Sequence, residues 1–358
     1  MNFASDNSWG VHPAVLSAIS AANDGAVMGY GADRITLRAE DAVREALDAP
    51  HAVVRFIATG TAANALVCAQ LSPPHGRIYC HSDAHILTSE CGAPGFYTHG
   101  ATLVPIPGDD GLVRPEDLDS ASVAGAAGGL NGGKNAFVSI TNATEGGRVY
   151  RAGHLCALAR VARRAGLPLH VDGARFANAV AAARVSPADL SWRAGVDVLC
   201  LGGTKNGAIG AEAIVFFDPH MAEGFDYRRK QAGQVWSKSR FLAAQMLGLM
   251  KDGLWLDLAR QANAKAQRLA GAIETGGGRL LAPVETNAVF AALPAEIHRQ
   301  AKAAGALYHI WTDQPLAPEA DVPVRLVCSW DTPDEQIDAM SDMLSGANAR
   351  SGALPPSR

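Results

Sequence analysis

Short apolar runs rich in β-branched residues alternate along most of the chain with longer stretches in which alanine, leucine and arginine recur at helical spacing. The apolar runs predict strands at HAVVRFIA, NAFVSIT, LPLHVD, VDVLCL and AEAIVFF. Stretches such as HLCALARVARRAG predict helices between them. Strands this apolar, separated by helices, predict an α/β fold with a mostly parallel sheet covered on both faces.

The pattern changes near residue 242. Residues 241–275 keep helical spacing throughout and predict one long helix, which weaker strand patterns follow at NAVFAAL, LYHIW and VRLVCSW. We therefore predict a large domain with an N-terminal arm over residues 1–241 and a smaller α+β domain over residues 242–346. The segment ASVAGAAGGLNGGKN predicts a surface loop, and residues 347–358 a flexible tail.

Composition narrows the function classes. Of the 358 residues, 48% are hydrophobic and 18% charged, and the net charge of −4 comes without a basic block, so we expect neither nucleic acid nor a membrane surface as partner. We find no apolar run of bilayer-spanning length and no signal peptide pattern. The six cysteines form no C-x-x-C pair, and together these features lead us to expect a cytoplasmic protein.

A lysine and an aspartate follow two of the predicted strands. Lys205 lies in LGGTKNG directly after VDVLC, and Asp172 ends LPLHVD. Because the carboxyl ends of parallel strands meet at one edge of a sheet, the pair fits pyridoxal phosphate: the acid keeps the pyridine nitrogen protonated and the lysine forms the Schiff base. Taken alone, Asp172 also fits a helix N-cap, and Lys205 a phosphate clamp or a loop cation.

A glycine and a threonine follow the first predicted strand. In ATGTAANAL, Gly60 and Thr61 would place free amides and a hydroxyl at a helix N-terminus, which favours phosphate, although a plain helix start would look the same. The stretch is neither a Walker loop nor a G-x-G-x-x-G fingerprint.

Two histidines lie in HSDAHILTSECGAP. His81 and His85 have the i, i+4 spacing of a metal-binding pair, but no third ligand of the H-E-x-x-H kind is present, so we expect no metal. His85 fits either a ring stacked on a cofactor or a partly buried structural histidine.

Taken together, these motifs resemble a family. FASDN, TGTAAN, DAH…E, HVDGAR, GGTKNG and VRLVCSWDT occur in the order found in the low-specificity threonine aldolases, and the resemblance covers nearly the whole chain. It implies fold type I, the aspartate-aminotransferase-like fold, with a seven-stranded type of sheet and pyridoxal phosphate as cofactor. It also implies a homodimer or homotetramer with sites at the subunit interface, and cleavage of L-threonine, L-allo-threonine and related β-hydroxy-α-amino acids to glycine and an aldehyde.

The resemblance assigns roles residue by residue. Lys205 would form the Schiff base, Asp172 would pair with the pyridine nitrogen, and His85 would stack on the ring. The other cofactor contacts that it implies are Gly60, Thr61, Ala62, Arg175, Thr204, Tyr30 and Lys230. The substrate contacts that it implies are Ser5, Asp6, Arg175 and Arg325, with arginine suited to a carboxylate by its planar fork.

Two places depart from the family pattern. Glu145 stands where many members have a histidine that faces the substrate hydroxyl. In YRRKQAGQVWSKSRF, Lys230 matches a basic residue that reaches a neighbouring subunit's site, and Lys238 is the nearest substitute for a later arginine. The catalytic base is therefore open among His85, Glu90, Glu145 and a water that they hold.

Several alternatives stay open at this point. The same machinery would serve an aldolase specialised for phenylserine or α-methylserine, or another fold-type-I enzyme such as an aminotransferase or a β-eliminating lyase. A non-catalytic cofactor-binding protein is disfavoured because binding alone needs neither the imine lysine Lys205 nor the electron-sink partner Asp172. A nicotinamide dehydrogenase is disfavoured because the glycine fingerprint is missing.

Overall fold

The chain forms two compact units. In the computed structural model, which describes the backbone of residues 1–351 and the side chains of residues 1–345, the large unit is Val11–Asp257. The small unit combines Met1–Gly10 with the chain from Leu258 onward. None of the helices in the described part of the chain combines the length and the apolar character that spanning a bilayer requires.

A seven-stranded sheet organises the large unit. Its strand order is β1-β9-β8-β7-β6-β2-β3, and a short hairpin, β4–β5, lies outside it. Only β9 is antiparallel to its neighbours, so the mostly parallel sheet that the sequence predicts is confirmed. The strands are β1 Val53–Ile57, β2 Gly76–His81, β3 Thr102–Ile106, β4 Gly108–Asp109, β5 Leu112–Val113, β6 Lys134–Thr141, β7 Leu169–Gly173, β8 Val198–Gly202 and β9 Glu212–Phe216.

The direction of the strands decides where the loops meet. Strands β1 and β8 are both antiparallel to β9 and therefore run the same way, as do β2, β6 and β7. The carboxyl ends of these five strands consequently share one edge of the sheet. Every position of β7, β8 and β9 is buried, which explains why the central strands show no polar alternation in sequence.

Helices cover the sheet. In α3, Ala63, Leu66 and Val67 pack on strand residues of β1, β8 and β9, because their spacing places them on one helix face. The helices that begin in this unit are α1 Pro13–Ala21, α2 Arg34–Ala46, α3 Gly60–Leu71, α4 His85–Thr88, α5 Ala93–Tyr97, α6 Pro115–Ala127, α7 Gly129–Gly132, α8 Ala152–Arg164, α9 Phe176–Ala183, α10 Phe225–Gln231, α11 Arg240–Met250 and α12 Leu254–Thr275.

Two sequence-based predictions are wrong in this unit. The segment predicted as a loop is largely helical, because α6 continues to Ala127 and α7 follows. Its alanines favour helix and its buried Ser122 anchors one face, so the glycines end the helix rather than prevent it. The predicted long helix over 241–275 is broken at Lys251–Gly253, where Asp252 has a φ of 55°.

The small unit is α+β, as predicted. Its antiparallel sheet has the order β10-β11-β13-β12, and Phe3 is fully buried in its core. The amide of Phe3 donates to the carbonyl of Leu307, and the amide of Val327 donates to the carbonyl of Phe3. Its own elements are β10 Arg279–Leu280, β11 Ala288–Leu293, α13 Ala295–Ala303, β12 His309–Ile310, β13 Val322–Val327 and α14 Asp334–Ser351.

The observed division differs from the predicted boundary after residue 241. Helix α11 packs on α1 and α2 and so groups with the large unit, and the first ten residues group with the small one. Of the predicted tail at 347–358, the part after α14 lies outside the described residues.

Candidate active site

The turn after β8 holds Lys205. Residues Thr204–Asn206 form a 3₁₀ turn, and the Asn206 amide donates from Nδ2 to the carbonyl of Trp255 at 2.7 Å. At Gly202 a Cβ would lie 2.6 Å from the carbonyl oxygen of Ala174, so only glycine allows the two strand ends to approach this closely. The half-buried Lys205 is thus presented from a tightly held turn.

Asp172 lies beside it on the neighbouring strand. Its register partner in β8 is Cys200, and its residue exposure is 5%. The Oδ1 atom accepts from the amide of Ala174 at 3.0 Å, and Oδ2 accepts from Nδ2 of Asn64 at 2.8 Å. Asp172 is not a helix cap, because the N-cap residue of α9 is Arg175.

A hydrogen-bonded chain runs from Asp172 to His85. The Nδ2 atom of Asn64 also donates to Oε1 of Glu90 at 2.8 Å, and the Nδ1 atom of His85 lies 2.8 Å from that same oxygen. The Glu90 side chain is fully buried, whereas His85 remains 32% exposed. Two buried oxygens of this chain, Oδ1 of Asn64 and Oε2 of Glu90, have no partner among the described residues.

Electrostatics in this chain favour a proton on His85. The hydrogen bond to Glu90 raises the pKa of His85 against the effect of burial, and the negative charges of Glu145 and Asp172 raise it further. Burial raises the pKa of Glu90. Glu145 is half-buried in the loop after β6, and its effect on His85 shows that these two candidate bases share one environment.

The ligand atoms of His85, Glu90 and Asp172 lie within 4.8 Å of one another, as metal ligands do. The Asn64 amide, however, already donates to both carboxylates. His81 does not join them, since its Nδ1 accepts from the amide of Asp83 at 3.0 Å. The i, i+4 histidine pair considered from the sequence does not form, and the absence of a metal stays a prediction.

The N-terminus of α3 forms an anion cradle. Thr59 caps the helix. Its Oγ1 accepts a hydrogen bond from the amide of Ala62 at 3.2 Å, and its carbonyl oxygen accepts one from the amide of Ala63 at 3.0 Å. The amides of Gly60 and Thr61 have no partner among the residues that the structure describes. A Cβ at Gly60 would meet no atom within 4 Å, so the start of the helix is uncrowded on that side. The cradle fits a phosphate group, which the amides of Gly60 and Thr61 can bind. The Ala62 amide already donates to the hydroxyl of Thr59.

The Thr204 hydroxyl is engaged within the protein. It donates to Oε1 of Glu212 at 2.6 Å and accepts from the amide of Ala211 at 3.2 Å. Burial raises the pKa of Glu212 to about 7, although the Thr204 hydrogen bond and the charge of Lys205 act to lower it. A phosphate contact by Thr204, which the resemblance implies, would require its hydroxyl to exchange partners.

Sequence reasoning assigned no role to two residues of this site, Asn64 and Glu212. Each had a signal: Asn64 is a polar residue in the buried Ala-rich run of α3, and Glu212 is an acid that opens the otherwise apolar strand β9. Such residues are rarely buried without partners, and here both are hydrogen-bonded to other polar side chains.

Tyr30 and Lys230 meet in a different part of the large unit. The Lys230 ammonium lies 4.7 Å from the ring centroid of Tyr30. Both line a pocket of about 440 Å³, together with Arg229, and neither Lys205 nor Asp172 belongs to its lining. Lys238 is exposed. The implied cofactor contacts of Tyr30 and Lys230 stay predictions.

The implied substrate contacts lie in both units. Arg175 is half-buried between β7 and α9 in the large unit. In the small unit, Ser5 caps the short 3₁₀ turn Asp6–Ser8, and Oδ2 of the buried Asp6 accepts from Nδ2 of Asn287 at 3.0 Å. Arg325 lies on β13 with its guanidinium 5.5 Å from the ring centroid of Trp311. Their roles toward substrate stay predictions.

The groups that a pyridoxal phosphate molecule needs lie at the carboxyl ends of strands that share one edge of the sheet: a lysine, a buried aspartate and an anion cradle. This arrangement on a seven-stranded sheet is that of a fold-type-I pyridoxal-phosphate enzyme. The sequence profile of the beta-eliminating lyase family matches residues 2–296. A low specificity L-threonine aldolase from Pseudomonas aeruginosa is 41% identical over 336 residues, which cover 94% of each chain. The chain therefore belongs to the beta-eliminating lyase family, among its low-specificity threonine aldolases.

Solved structures are similar to this chain in the same way. A threonine aldolase from Leishmania major superposes with a TM-score of 0.90 at 28% identity, covering 97% of this chain and 99% of that one. A serine palmitoyltransferase from Sphingomonas wittichii superposes with a TM-score of 0.69 at 18% identity, covering 99% of this chain and 88% of that one. The second likeness shows the fold alone.

Proposed function

We propose that this protein is a pyridoxal-phosphate-dependent aldolase that cleaves L-threonine, L-allo-threonine and related β-hydroxy-α-amino acids to glycine and an aldehyde. The observation that carries the proposal is the hydrogen-bonded chain Asp172–Asn64–Glu90–His85, which links the aspartate of the proposed cofactor site to a partly exposed imidazole. The names of the Pseudomonas and Leishmania relatives support the same reaction.

The cofactor supplies an electron sink when bound. Lys205 would provide the amine that attaches its aldehyde, and the amides of Gly60 and Thr61 would hold its phosphate. Asp172, fixed by Asn64, would provide the buried negative charge that keeps the pyridine nitrogen protonated. Arg175 is our candidate for gripping the substrate carboxylate, which orients the Cα–Cβ bond for cleavage.

Removal of the β-hydroxyl proton needs a base. We assign this role to His85, because its Nδ1 is held by Glu90 and the ring's other nitrogen is left for substrate or for a water. Glu145, which raises the pKa of His85, is the second candidate. In either case Glu90 acts through His85, since its carboxyl is fully buried.

Further features of the proposal rest on the resemblance. We propose a homodimer or homotetramer in which Lys230 reaches a neighbouring subunit's site, and Tyr30, which lines the same pocket, lies near a cofactor. The small-molecule amino-acid substrate and the cytoplasmic location are likewise proposals. The preference among threonine, phenylserine and α-methylserine depends on the substrate side-chain pocket.

The test is to incubate cofactor-loaded protein with L-threonine and to measure acetaldehyde and glycine. Equimolar products are expected from the wild type and from Lys134→Ala, which removes an exposed lysine at the start of β6. Lys205→Ala should release neither. If the loaded wild type forms no aldehyde from threonine, allo-threonine or phenylserine, the aldolase proposal is overturned. Keto-acid formation would then identify an aminotransferase, and ammonia with pyruvate from serine a β-eliminating lyase.

A further inference from the structure

One buried acid near Lys205 has no part in the reaction described above. Glu212 opens β9, opposite Gly202 of β8 and Ile57 of β1, and its residue exposure is 5%. A lone carboxyl rarely occupies such a position, because burial of an ionised acid is costly unless hydrogen bonds and opposite charges compensate.

Contacts from the lysine turn provide that compensation. The hydroxyl of Thr204, the residue that precedes Lys205, donates to Oε1 of Glu212 at 2.6 Å. The amide of Ala211, the residue before β9, donates to this hydroxyl at 3.2 Å, so Thr204 is held both by the backbone just before β9 and by the Glu212 side chain. The short turn has only three residues, and fixing its first one restricts the direction in which the second can point.

The charged groups that face Glu212 come from two elements. Lys205, on the turn after β8, lowers the pKa of Glu212, and Asp172, on β7, raises it. Cys200 on β8 shares this environment, since Glu212 raises the pKa of its thiol. From β1 the facing residue is Ile57, which is apolar. Lys205 is the only positive charge among those that act on Glu212 most strongly.

We propose that Glu212 is a positioning residue for Lys205. Through the Thr204 hydroxyl it fixes the turn that carries the lysine, and its carboxylate stabilises the protonated form of the lysine nitrogen. It touches neither substrate nor cofactor in this arrangement. The inference rests on the proposed function only in requiring that Lys205 bind the cofactor.

The two parts of this role separate in different variants. Glu212→Gln keeps an oxygen that accepts from Thr204 but removes the negative charge. Thr204→Val keeps the carboxyl but removes its donor, whereas Thr204→Ser keeps the hydroxyl. Asp197→Asn is the matched control, because Asp197 is a partly buried acid that accepts from the amide of Leu169 at 2.7 Å and precedes the opposite end of β8.

The readout is the pH midpoint at which the visible absorbance of the Lys205-bound cofactor changes, recorded for each cofactor-loaded variant. Loss of the charge should lower the midpoint in Glu212→Gln by roughly one pH unit, as expected for an opposite charge nearby. Thr204→Val should shift it in the same direction, because a carboxyl without its donor ionises less readily. Thr204→Ser and Asp197→Asn should titrate like the wild type.

The outcomes distinguish this inference from the proposed function. If Glu212→Gln titrates like the wild type, or if Asp197→Asn shifts as far as Glu212→Gln does, the inference is overturned while the aldolase proposal stands. If the wild type shows no absorbance change that depends on Lys205, both fail. Both proposals are supported if the wild type releases aldehyde and shows a Lys205-dependent midpoint, and if that midpoint is lower in Glu212→Gln.

Discussion

The Nδ1 atom of His85 lies 2.8 Å from Oε1 of Glu90, a carboxyl whose side chain is fully buried. This pairing fixes which nitrogen of the ring faces the protein and leaves the other for chemistry. It also makes the protonation of His85 depend on Glu90, because a buried acceptor of this kind favours the charged ring. A histidine tuned by a buried carboxylate is suited to move a proton near neutral pH.

The first prediction concerns the pH dependence of cleavage. The hydrogen bond to the Glu90 carboxylate contributes most to the raised pKa of His85, and Glu90→Gln replaces that carboxylate by a neutral and weaker acceptor, so the pKa of His85 should fall. If neutral His85 is the base, activity is lost on acidification through this pKa, and the acidic limb of the kcat/KM profile should move to lower pH in Glu90→Gln. Steady-state rates measured across that limb test this.

Glu145→Gln provides the comparison. Glu145 raises the pKa of His85 without a hydrogen bond to it, so the same limb should move in the same direction but by less. Identical profiles for wild type and Glu90→Gln would exclude His85 as the group that sets this limb. A loss of activity confined to Glu145→Gln, at every pH, would make Glu145 the base.

The second prediction concerns Asp172. Asp172→Asn keeps an oxygen that accepts from Asn64 but removes the buried charge at the proposed cofactor site. We expect kcat to fall by about 100-fold or more, the scale on which removal of a fixed stabilising group slows an enzyme. The measurement is a single-turnover rate at saturating cofactor. A variant rate equal to that of the wild type once cofactor is saturating would mean that Asp172 serves cofactor binding alone.

The third prediction concerns Asn64, whose Nδ2 donates to both Glu90 and Asp172. Asn64→Ala leaves two buried carboxylates without this donor, which should lower the free energy of unfolding by about 1–3 kcal/mol and weaken cofactor binding. Asn135→Ala is the control. Asn135 also makes two side-chain hydrogen bonds, but it lies at the start of β6, and the site lies beyond the other end of that strand.

Chemical unfolding and cofactor titration separate the two effects. Both variants should lose stability, but only Asn64→Ala should bind the cofactor more weakly than the wild type. Equal cofactor affinity in both variants would show that Asn64 supports the fold without organising the site.

The sequence was sufficient for strands β1, β6, β7, β8 and β9 and for the strand ends that carry Lys205 and Asp172, whereas β2 and β3 were not among the predicted strands. Buried parallel strands appear as uninterrupted apolar runs, and their carboxyl ends share one edge by geometry. The sequence was insufficient where tertiary contacts decide whether a segment is helical. The break at Asp252 interrupts a helical pattern that continues on both sides, and the alanines of α6 carry a helix into a segment whose glycines favoured a loop.

The polar contacts of the site were beyond sequence reasoning for a related reason. The hydrogen bond between Asn64 and Asp172 joins residues 108 positions apart, and the spacing of the motifs contains no information on it. The bond from Thr204 to Glu212 spans only eight positions, but it depends on the antiparallel pairing of β8 with β9. Order along the chain identified the family, whereas the partners of each side chain required the structure.

The last prediction links Glu212 to stability. Burial raises its pKa to about 7 in the folded protein, from 4.5 for an unperturbed glutamate. Between these values the folded state binds more protons than the unfolded state, so stability is fully present below pH 4.5 and declines as the pH rises toward 7. The decline due to this one group should amount to at most about 3 kcal/mol. Glu212→Gln cannot ionise and should lack it.

Urea unfolding of the cofactor-free proteins at several pH values between 5 and 8 measures the difference. The other titrating groups contribute equally to both proteins, so the stability of Glu212→Gln relative to the wild type isolates Glu212. This relative stability should increase with pH and level off above 7, where the wild-type carboxyl is ionised. Curves that stay parallel across the range would mean that Glu212 has the same pKa in the folded and unfolded chains. In that case Lys205 and Thr204 would fully offset its burial.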